Sequence, residues 1–151
     1  RTVRPSDPAF TSIHAIAELD SVLPETDLLV MALPSTAETA GILSRERIAL
    51  LPDSAFVVNV GRGTAIDQEA LCDALNAGQL AGAALDVVVP EPLPADHPLR
   101  RAKNLLLTPH VAGNMTLGYT CERNVQLFCE NLENYAAGRP MHHLVDRRKG
   151  Y

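Results

Sequence analysis

The sequence predicts an α/β fold: a doubly wound parallel sheet followed by one long helix. Three observations support this fold class. Short apolar runs alternate with segments of helical periodicity, the runs are apolar at consecutive positions, and a long amphipathic pattern lies towards the end of the chain. Runs of this kind are typical of strands buried in a parallel sheet. Their alternation with helices predicts right-handed crossovers and a sheet covered on both faces.

The first predicted elements are short. Residues 12–14 (SIH) predict a brief strand, and residues 15–23 (AIAELDSVL) have apolar side chains at helical spacing up to Pro24. Residues 27–33 (DLLVMAL) form a continuous apolar run that ends at Pro34. Because this run is too short for a helix, it predicts an interior strand.

The middle of the chain repeats this order. Ser44 can cap the helical segment SRERIALL, and a turn at Pro52 leads into residues 55–60 (AFVVNV), a second predicted strand. Asp67 suits the N-cap of the next helix, and Gly78 suits its C-cap. The buried face of that helix is predicted to contain Leu71, Cys72 and Leu75.

Two more strands and the long helix complete the pattern. Residues 81–89 (AGAALDVVV) and 104–107 (NLLL) predict strands on either side of the proline-rich loop 90–98. An amphipathic helix is predicted from Thr116 to about Ala137. Its apolar stripe consists of Leu117, Cys121, Val125, Phe128, Leu132 and Tyr135.

The composition narrows the class of protein. The 151 residues have a formal charge of -5 and one basic cluster, at 147–149, which argues against nucleic acid as a partner. The three cysteines lack paired spacing, which favours a reducing cytoplasm and indicates no metal site. The apolar runs are too short to span a membrane. Because the chain begins at Arg1 without a methionine, we interpret it as a fragment.

Three charged side chains follow predicted strands: Arg62, Glu91 and His110. Ligands of open parallel sheets bind beyond the carboxyl ends of the strands, so each is a candidate site residue. Each also has a simpler interpretation. Arg62 could pair with Asp67 or cap a neighbouring helix, His110 could be a satisfied polar loop residue, and Glu91 could be an exposed carboxylate without a role.

Together these side chains predict a site that reduces a ketone. Arg62 lies between Gly61 and Gly63, which permit close backbone approach to a ligand or unusual dihedral angles, and its donors match a carboxylate. An imidazole such as His110 can give a proton to the oxygen while hydride reaches the carbonyl carbon. A carboxylate such as Glu91 can keep the imidazole protonated and determine its tautomer.

Three segments then carry a resemblance to a known family. NVGRGTAIDQEAL, AGAALDVVVPEPLP and NLLLTPHVAG, in this order and spacing, resemble the signature segments of the D-isomer-specific 2-hydroxyacid dehydrogenases. The segments ALPSTAETAGIL and HLVDRRKGY are most similar to the glyoxylate/hydroxypyruvate reductase branch. The resemblance implies the C-terminal part of a Rossmann-like dinucleotide-binding domain over residues 1–112. Residues 113–151 would form the long helix and a tail that return to the substrate domain.

The resemblance also implies roles for individual residues. Arg62 would anchor the substrate carboxylate, His110 would be the acid/base, and Glu91 would be its partner. The implied cofactor contacts are Leu33, Pro34, Thr39, Val60, Gly61, Asp86, His110 and Gly113. Simple packing is the simpler interpretation of Leu33, Pro34 and Val60, and a helix-entry turn is the simpler interpretation of Gly113.

The sequence departs from the family pattern in two ways. Gly61 stands where the family more often has a small side chain with a β-carbon. Val88 stands where an aromatic is common in the family. The G-x-G-x-x-G phosphate loop is absent, since Gly61-Arg62-Gly63 is followed by Ile66 where the third glycine belongs. The first two strands would therefore precede this sequence. An arginine at position 1 or 4 would favour NADP over NAD.

Loss of those strands has a physical consequence. In the strand order 3-2-1-4-5-6, it turns the apolar strand at 27–33 into a sheet edge. We expect the chain to need its missing half or to pair through this strand with a copy of itself. The apolar stripe of the long helix should also be partly uncovered.

The function expected from these residues is reduction of a small 2-keto acid, glyoxylate or hydroxypyruvate, with NADPH or NADH. The full-length protein would be a homodimer, and the fragment would be inactive alone. The alternative is a nucleotide-sensing or corepressor protein on the same fold. Such a protein would need none of Arg62, Glu91 and His110.

Overall fold

The structure, a computed structural model, describes residues 8–113 and 117–148. The chain divides into two compact units, Arg1–Pro109 and His110–Tyr151. The boundary expected after residue 112, between the cofactor domain and the segment that returns to the substrate domain, stays a prediction. The expected helix start at Thr116 and the arginines at positions 1 and 4 lie outside the described residues.

A four-stranded parallel sheet lies in the first unit, as the apolar runs predicted. The strands are β1 (Leu28–Met31), β2 (Phe56–Asn59), β3 (Gly82–Leu85) and β4 (Leu105–Leu107), in the spatial order β1-β2-β3-β4. Met31 lies opposite Asn59, Asn59 opposite Leu85, and Leu85 opposite Leu107. The strands therefore end at one level, and the loops that follow them meet at a single carboxyl edge.

The helices of the first unit are α1 (Leu19–Val22), α2 (Arg45–Ile48) and α3 (Gln68–Ala77). The predicted caps of α3 are confirmed. Asp67 Oδ1 accepts a hydrogen bond from the Ala70 N–H at 2.9 Å, and Gly78 ends the helix at a left-handed φ of 73°. Ser44 caps α2, and its hydroxyl donates to Glu46 at 2.6 Å, which lowers the pKa of that carboxyl.

Two predictions for the start of the chain are wrong. Residues 12–14 form no strand. Among the described residues, β1 pairs only with β2, and no strand pairs with residues 12–14. Residues 15–23 form no continuous helix; 3-10 turns at Ile16–Glu18 and Leu23–Glu25 flank α1. Pro24 lies inside the second turn, since its restricted φ suits the first positions of a helix.

All the connections between strands pack on one face of the sheet. Side chains from α2, from α3 and from a 3-10 turn at Pro98–Arg101 join the inward strand residues in one buried cluster. Its members include Met31, Ile48, Val57, Leu71, Leu75, Leu85 and Leu99. The expected coverage of both faces is therefore wrong for the described residues. In the order β1-β2-β3-β4, each crossover moves in the same direction along the sheet. Crossovers that share this direction and the same handedness place their helices on the same face.

The opposite face of the sheet is apolar and, among the described residues of the first unit, bare. Leu28 is 58% exposed, Val30 57%, Phe56 49% and Leu106 62%. As the strand-order argument predicted, β1 is an edge strand of this sheet. A free edge beside exposed apolar side chains favours association with another chain.

We expect this 151-residue chain to self-associate in dilute solution, because pairing along β1 covers the edge and part of the bare face. Val30→Lys should shift the sedimentation coefficient towards the monomer, since it places a charge on that face. Ala95→Lys, in the exposed proline-rich loop, is the matched control and should not. A wild-type chain that sediments as a monomer at every concentration would contradict this expectation.

The second unit contains the predicted long helix, α4 (Gly118–Ala136). None of its side chains is buried, so the expectation of an uncovered stripe is confirmed. The exposed apolar residues are Leu117, Tyr119, Val125, Phe128, Leu132 and Tyr135. The tail folds back on α4 through Asn131, whose amide bonds the N–H and C=O of His142 at 2.7 and 3.0 Å. Among the described helices, none has the length and apolar character required to cross a bilayer.

Candidate functional site

The loop after β2 passes between the loops after β1 and β3. A β-carbon on Gly61 would lie 2.6 Å from Leu33 N, and one on Gly63 would lie 2.5 Å from the carbonyl carbon of Val88. Neither glycine has a left-handed φ. The close approach of neighbouring backbone therefore explains both glycines. Gly61, where a β-carbon is more common in the family, has no room for one here.

We expect Gly63→Ala to destabilise the protein by about 1–3 kcal/mol, the usual cost of overpacking, because the added methyl must displace the Val88 backbone. Urea unfolding of the variant measures this loss. Gly118→Ala is the matched control, since alanine favours the start of α4 and, apart from its chain neighbours and its own helix backbone, no atom of the described residues lies within 4 Å of the added methyl. Equal stability of Gly63→Ala and the wild type would show that the loops separate freely.

Arg62 is exposed at this edge, and its backbone is held by Asn59. The Asn59 side chain is 1% exposed; its Oδ1 accepts from the Gly61 N–H at 3.0 Å, and its Nδ2 donates to the Arg62 carbonyl at 2.9 Å. Arg62 Nη1 donates to the Gly61 carbonyl at 2.7 Å. The alternative in which Arg62 pairs with Asp67 is not favoured, because that carboxylate caps α3.

Sequence reasoning missed the role of Asn59. The signal was an amide at the last position of an otherwise apolar strand. Such a residue is buried only when its polar atoms have partners, and the loop that it precedes supplies them.

Asp86, the first residue after β3, is buried at the same edge, with 6% of its surface exposed. Thr108, the first residue after β4, donates its hydroxyl to Asp86 Oδ1 at 2.5 Å. The Asp86 N–H donates to the Asn59 carbonyl at 3.0 Å. Asp86, one of the implied cofactor contacts, is therefore held at the end of β3 by hydrogen bonds to the ends of both neighbouring strands.

The loop after β1 contains three of the expected cofactor contacts, Leu33, Pro34 and Thr39, and a fourth, Val60, directly follows β2. Thr39 donates its hydroxyl to the Pro34 carbonyl at 2.6 Å and accepts from the Thr36 N–H at 3.0 Å, so it organises its own loop. Leu33 packs against the core, which agrees with its simpler interpretation. Val60 is 40% exposed and is available to contact a ligand.

Glu91 is exposed in the loop after β3. Its Oε1 accepts from the Val88 N–H at 2.9 Å, and the peptide bonds before Pro90 and Pro92 are cis. The amide of Gln68 bonds to both backbone groups of Val89 in the same loop. The loop is thereby tied to the start of α3.

His110 and Gly113 belong to the second unit. His110 follows β4 after Thr108 and Pro109, is exposed, and has a left-handed φ of 55°. Apart from its chain neighbours, no atom of the described residues lies within 4 Å of a β-carbon built on Gly113. The first unit thus brings Arg62, Asp86 and the Glu91 loop to one edge, whereas the convergence of His110 with them stays a prediction.

Comparisons with known proteins identify relatives of the whole chain. A family model described as "D-isomer specific 2-hydroxyacid dehydrogenase, NAD binding domain" matches residues 1–112. The glyoxylate/hydroxypyruvate reductase A of Klebsiella pneumoniae (strain 342) is 40% identical over 148 residues, which cover 98% of this chain and 46% of that protein. The chain therefore spans about half the length of the curated relatives that it matches.

Solved structures are similar to this chain over its whole length. A D-isomer specific 2-hydroxyacid dehydrogenase from Xanthobacter autotrophicus Py2, in complex with NADPH and MES, has a TM-score of 0.88 and 36% identity; the match covers 100% of this chain and 61% of that one. An NADPH-dependent glyoxylate/hydroxypyruvate reductase from Sinorhizobium meliloti, in complex with NADP and sulfate, has a TM-score of 0.85 and 29% identity; the match covers 100% of this chain and 48% of that one.

Proposed function

This chain belongs to the D-isomer specific 2-hydroxyacid dehydrogenases, and from that premise we propose that it forms part of an NADPH-dependent reductase of small 2-keto acids. Glyoxylate and hydroxypyruvate are the leading substrates, as the names of its relatives suggest. The observation that carries the proposal is the exposed side chain of Arg62, which belongs to the loop after β2 at the carboxyl edge of the sheet; the backbone of this loop passes between those of Leu33 and Val88.

In the proposed reaction, Arg62 binds and orients the substrate carboxylate through its planar fork of donors. His110 gives its proton to the carbonyl oxygen as negative charge develops there, so the ketone becomes a hydroxyl group. Glu91 is the partner that orients the imidazole. The chemistry that a bound nicotinamide supplies is the hydride received by the carbonyl carbon.

The residues at this edge fit the nicotinamide half of the cofactor. The buried carboxylate of Asp86 can accept from a carboxamide N–H, and the exposed side chain of Val60 offers an apolar surface to a ring. The sequence contains no G-x-G-x-x-G segment to hold the pyrophosphate. We therefore propose that residues 1–112 supply the C-terminal part of the cofactor domain and that residues 113–151 lead towards the substrate domain.

We further propose that the full-length protein is a cytoplasmic homodimer. The free cysteines at positions 72, 121 and 129 suit a reducing compartment. The exposed apolar stripe of α4 offers a surface that a second subunit can cover.

The test follows the absorbance of reduced cofactor with the full-length protein, using glyoxylate, hydroxypyruvate and pyruvate with NADPH and NADH separately. We expect turnover with the first two substrates and a preference for NADPH. Cofactor binding without turnover of any keto acid would instead favour a nucleotide-sensing protein on the same fold. The 151-residue chain alone should be inactive in the same assay.

A further inference from the structure

Gln68, the first residue of α3, forms a two-point contact with a loop that is distant in the sequence. Its Nε2 donates to the Val89 carbonyl at 2.6 Å, and its Oε1 accepts from the Val89 N–H at 2.8 Å. One side-chain amide therefore satisfies both backbone groups of one residue. We call this pair of hydrogen bonds the Gln68 clasp.

The clasp acts on a loop that has few backbone donors. Pro90 and Pro92 have no N–H, and the Val88 N–H is directed at the Glu91 carboxylate at 2.9 Å. Val89 itself is 44% exposed, so burial of its side chain contributes little to its position. The hydrogen bonds to Gln68 are thus well placed to orient the loop.

The clasp also connects the two loops that carry the proposed site. Gly63, next to Arg62, approaches the backbone of Val88 so closely that a β-carbon would lie 2.5 Å from its carbonyl carbon. The same segment continues into α3, whose first residue holds Val89. The chain thus contacts the loop of Glu91 at Gly63 and again at Gln68.

We propose that Gln68 is a positioning residue, which sets the place of the Glu91 loop relative to Arg62. This inference rests on the proposed function, since it assigns Glu91 a role in the reaction. Glutamine is suited to this role because a primary amide offers a donor and an acceptor side by side. Glutamate lacks the donor for the Val89 carbonyl, and methionine has nearly the same length but lacks both groups.

The first measurement is amide hydrogen exchange at Val89 in the full-length protein. We expect Gln68→Met to accelerate this exchange by about tenfold or more, because the N–H loses its acceptor. Gln79→Met is the matched control: Gln79 is exposed in the turn after α3, and its substitution should leave the Val89 rate unchanged. An unchanged rate in Gln68→Met would overturn the clasp itself.

The second measurement separates kcat from KM. A displaced Glu91 loop impairs the chemical step, so we expect Gln68→Met to lower kcat about tenfold while KM for the keto acid stays within about twofold. Gln68→Glu keeps the acceptor for the Val89 N–H and should have an intermediate kcat.

Faster exchange with unchanged kcat would overturn the positioning role. A wild-type protein without turnover would instead refute the proposed function, and with it the role assigned to Glu91, while the exchange measurement would still decide whether the clasp forms.

Discussion

Replacing Arg62 with alanine is expected to remove nearly all turnover from the full-length protein. Two charge-assisted hydrogen bonds to a carboxylate contribute roughly 1.5–3 kcal/mol each. Their loss should therefore lower kcat/KM on the order of a thousandfold, which corresponds to about 4 kcal/mol of transition-state stabilisation. Steady-state kinetics with glyoxylate and hydroxypyruvate measures this effect.

The fold should tolerate this substitution, because the Arg62 side chain is exposed and its loop is held by Asn59 through backbone groups. The thermal midpoint of Arg62→Ala should stay close to that of the wild type. Arg62→Lys should recover only part of the activity, since an ammonium group cannot bind a carboxylate in the same bidentate way. Arg101→Ala, which removes another exposed guanidinium, is the matched control. Full activity in Arg62→Ala would mean that another group anchors the substrate.

Replacement of His110 should have a comparable effect, but on kcat more than on KM. A positioned general acid contributes about 10²–10⁴-fold, because it acts in the transition state rather than in the bound ground state. Single-turnover measurements at saturating keto acid and cofactor should therefore slow by this factor. Binding of the keto acid, which the proposal assigns to Arg62, should change little.

The backbone at His110 determines which variant to use. Its φ of 55° lies in the left-handed region, where asparagine is tolerated better than alanine. His110→Asn thus removes the acid without adding backbone strain, and His110→Ala serves as a second variant. His14→Asn, at an exposed position in the first unit, is the control and should retain activity. Wild-type kcat in His110→Asn would refute the assignment of the acid.

Local signals made much of the fold predictable. The continuous apolar runs predicted β1 to β4, because a strand buried in a parallel sheet must be apolar in its own sequence. Asp67 and Gly78 predicted the ends of α3, because capping uses atoms within a few residues of the cap. The candidate site residues could be chosen because each follows such a strand.

The failures at the start of the chain have the opposite cause. A strand at residues 12–14 would require a neighbour to pair with, and its own sequence cannot provide one. Coverage of both sheet faces depends on the directions in which successive crossovers step, which only the strand order reveals.

The sequence by itself determined the parallel α/β class, the family and the residues proposed for the chemistry, because each is encoded in short contiguous segments. Only the tertiary structure decided why Arg62 lies between two glycines, which side chain holds its loop, and that Gln68 holds the loop of Glu91. These features depend on distances between segments that are far apart along the chain. Such distances are set by strand pairing and register, which bring separate loops to one edge of the sheet.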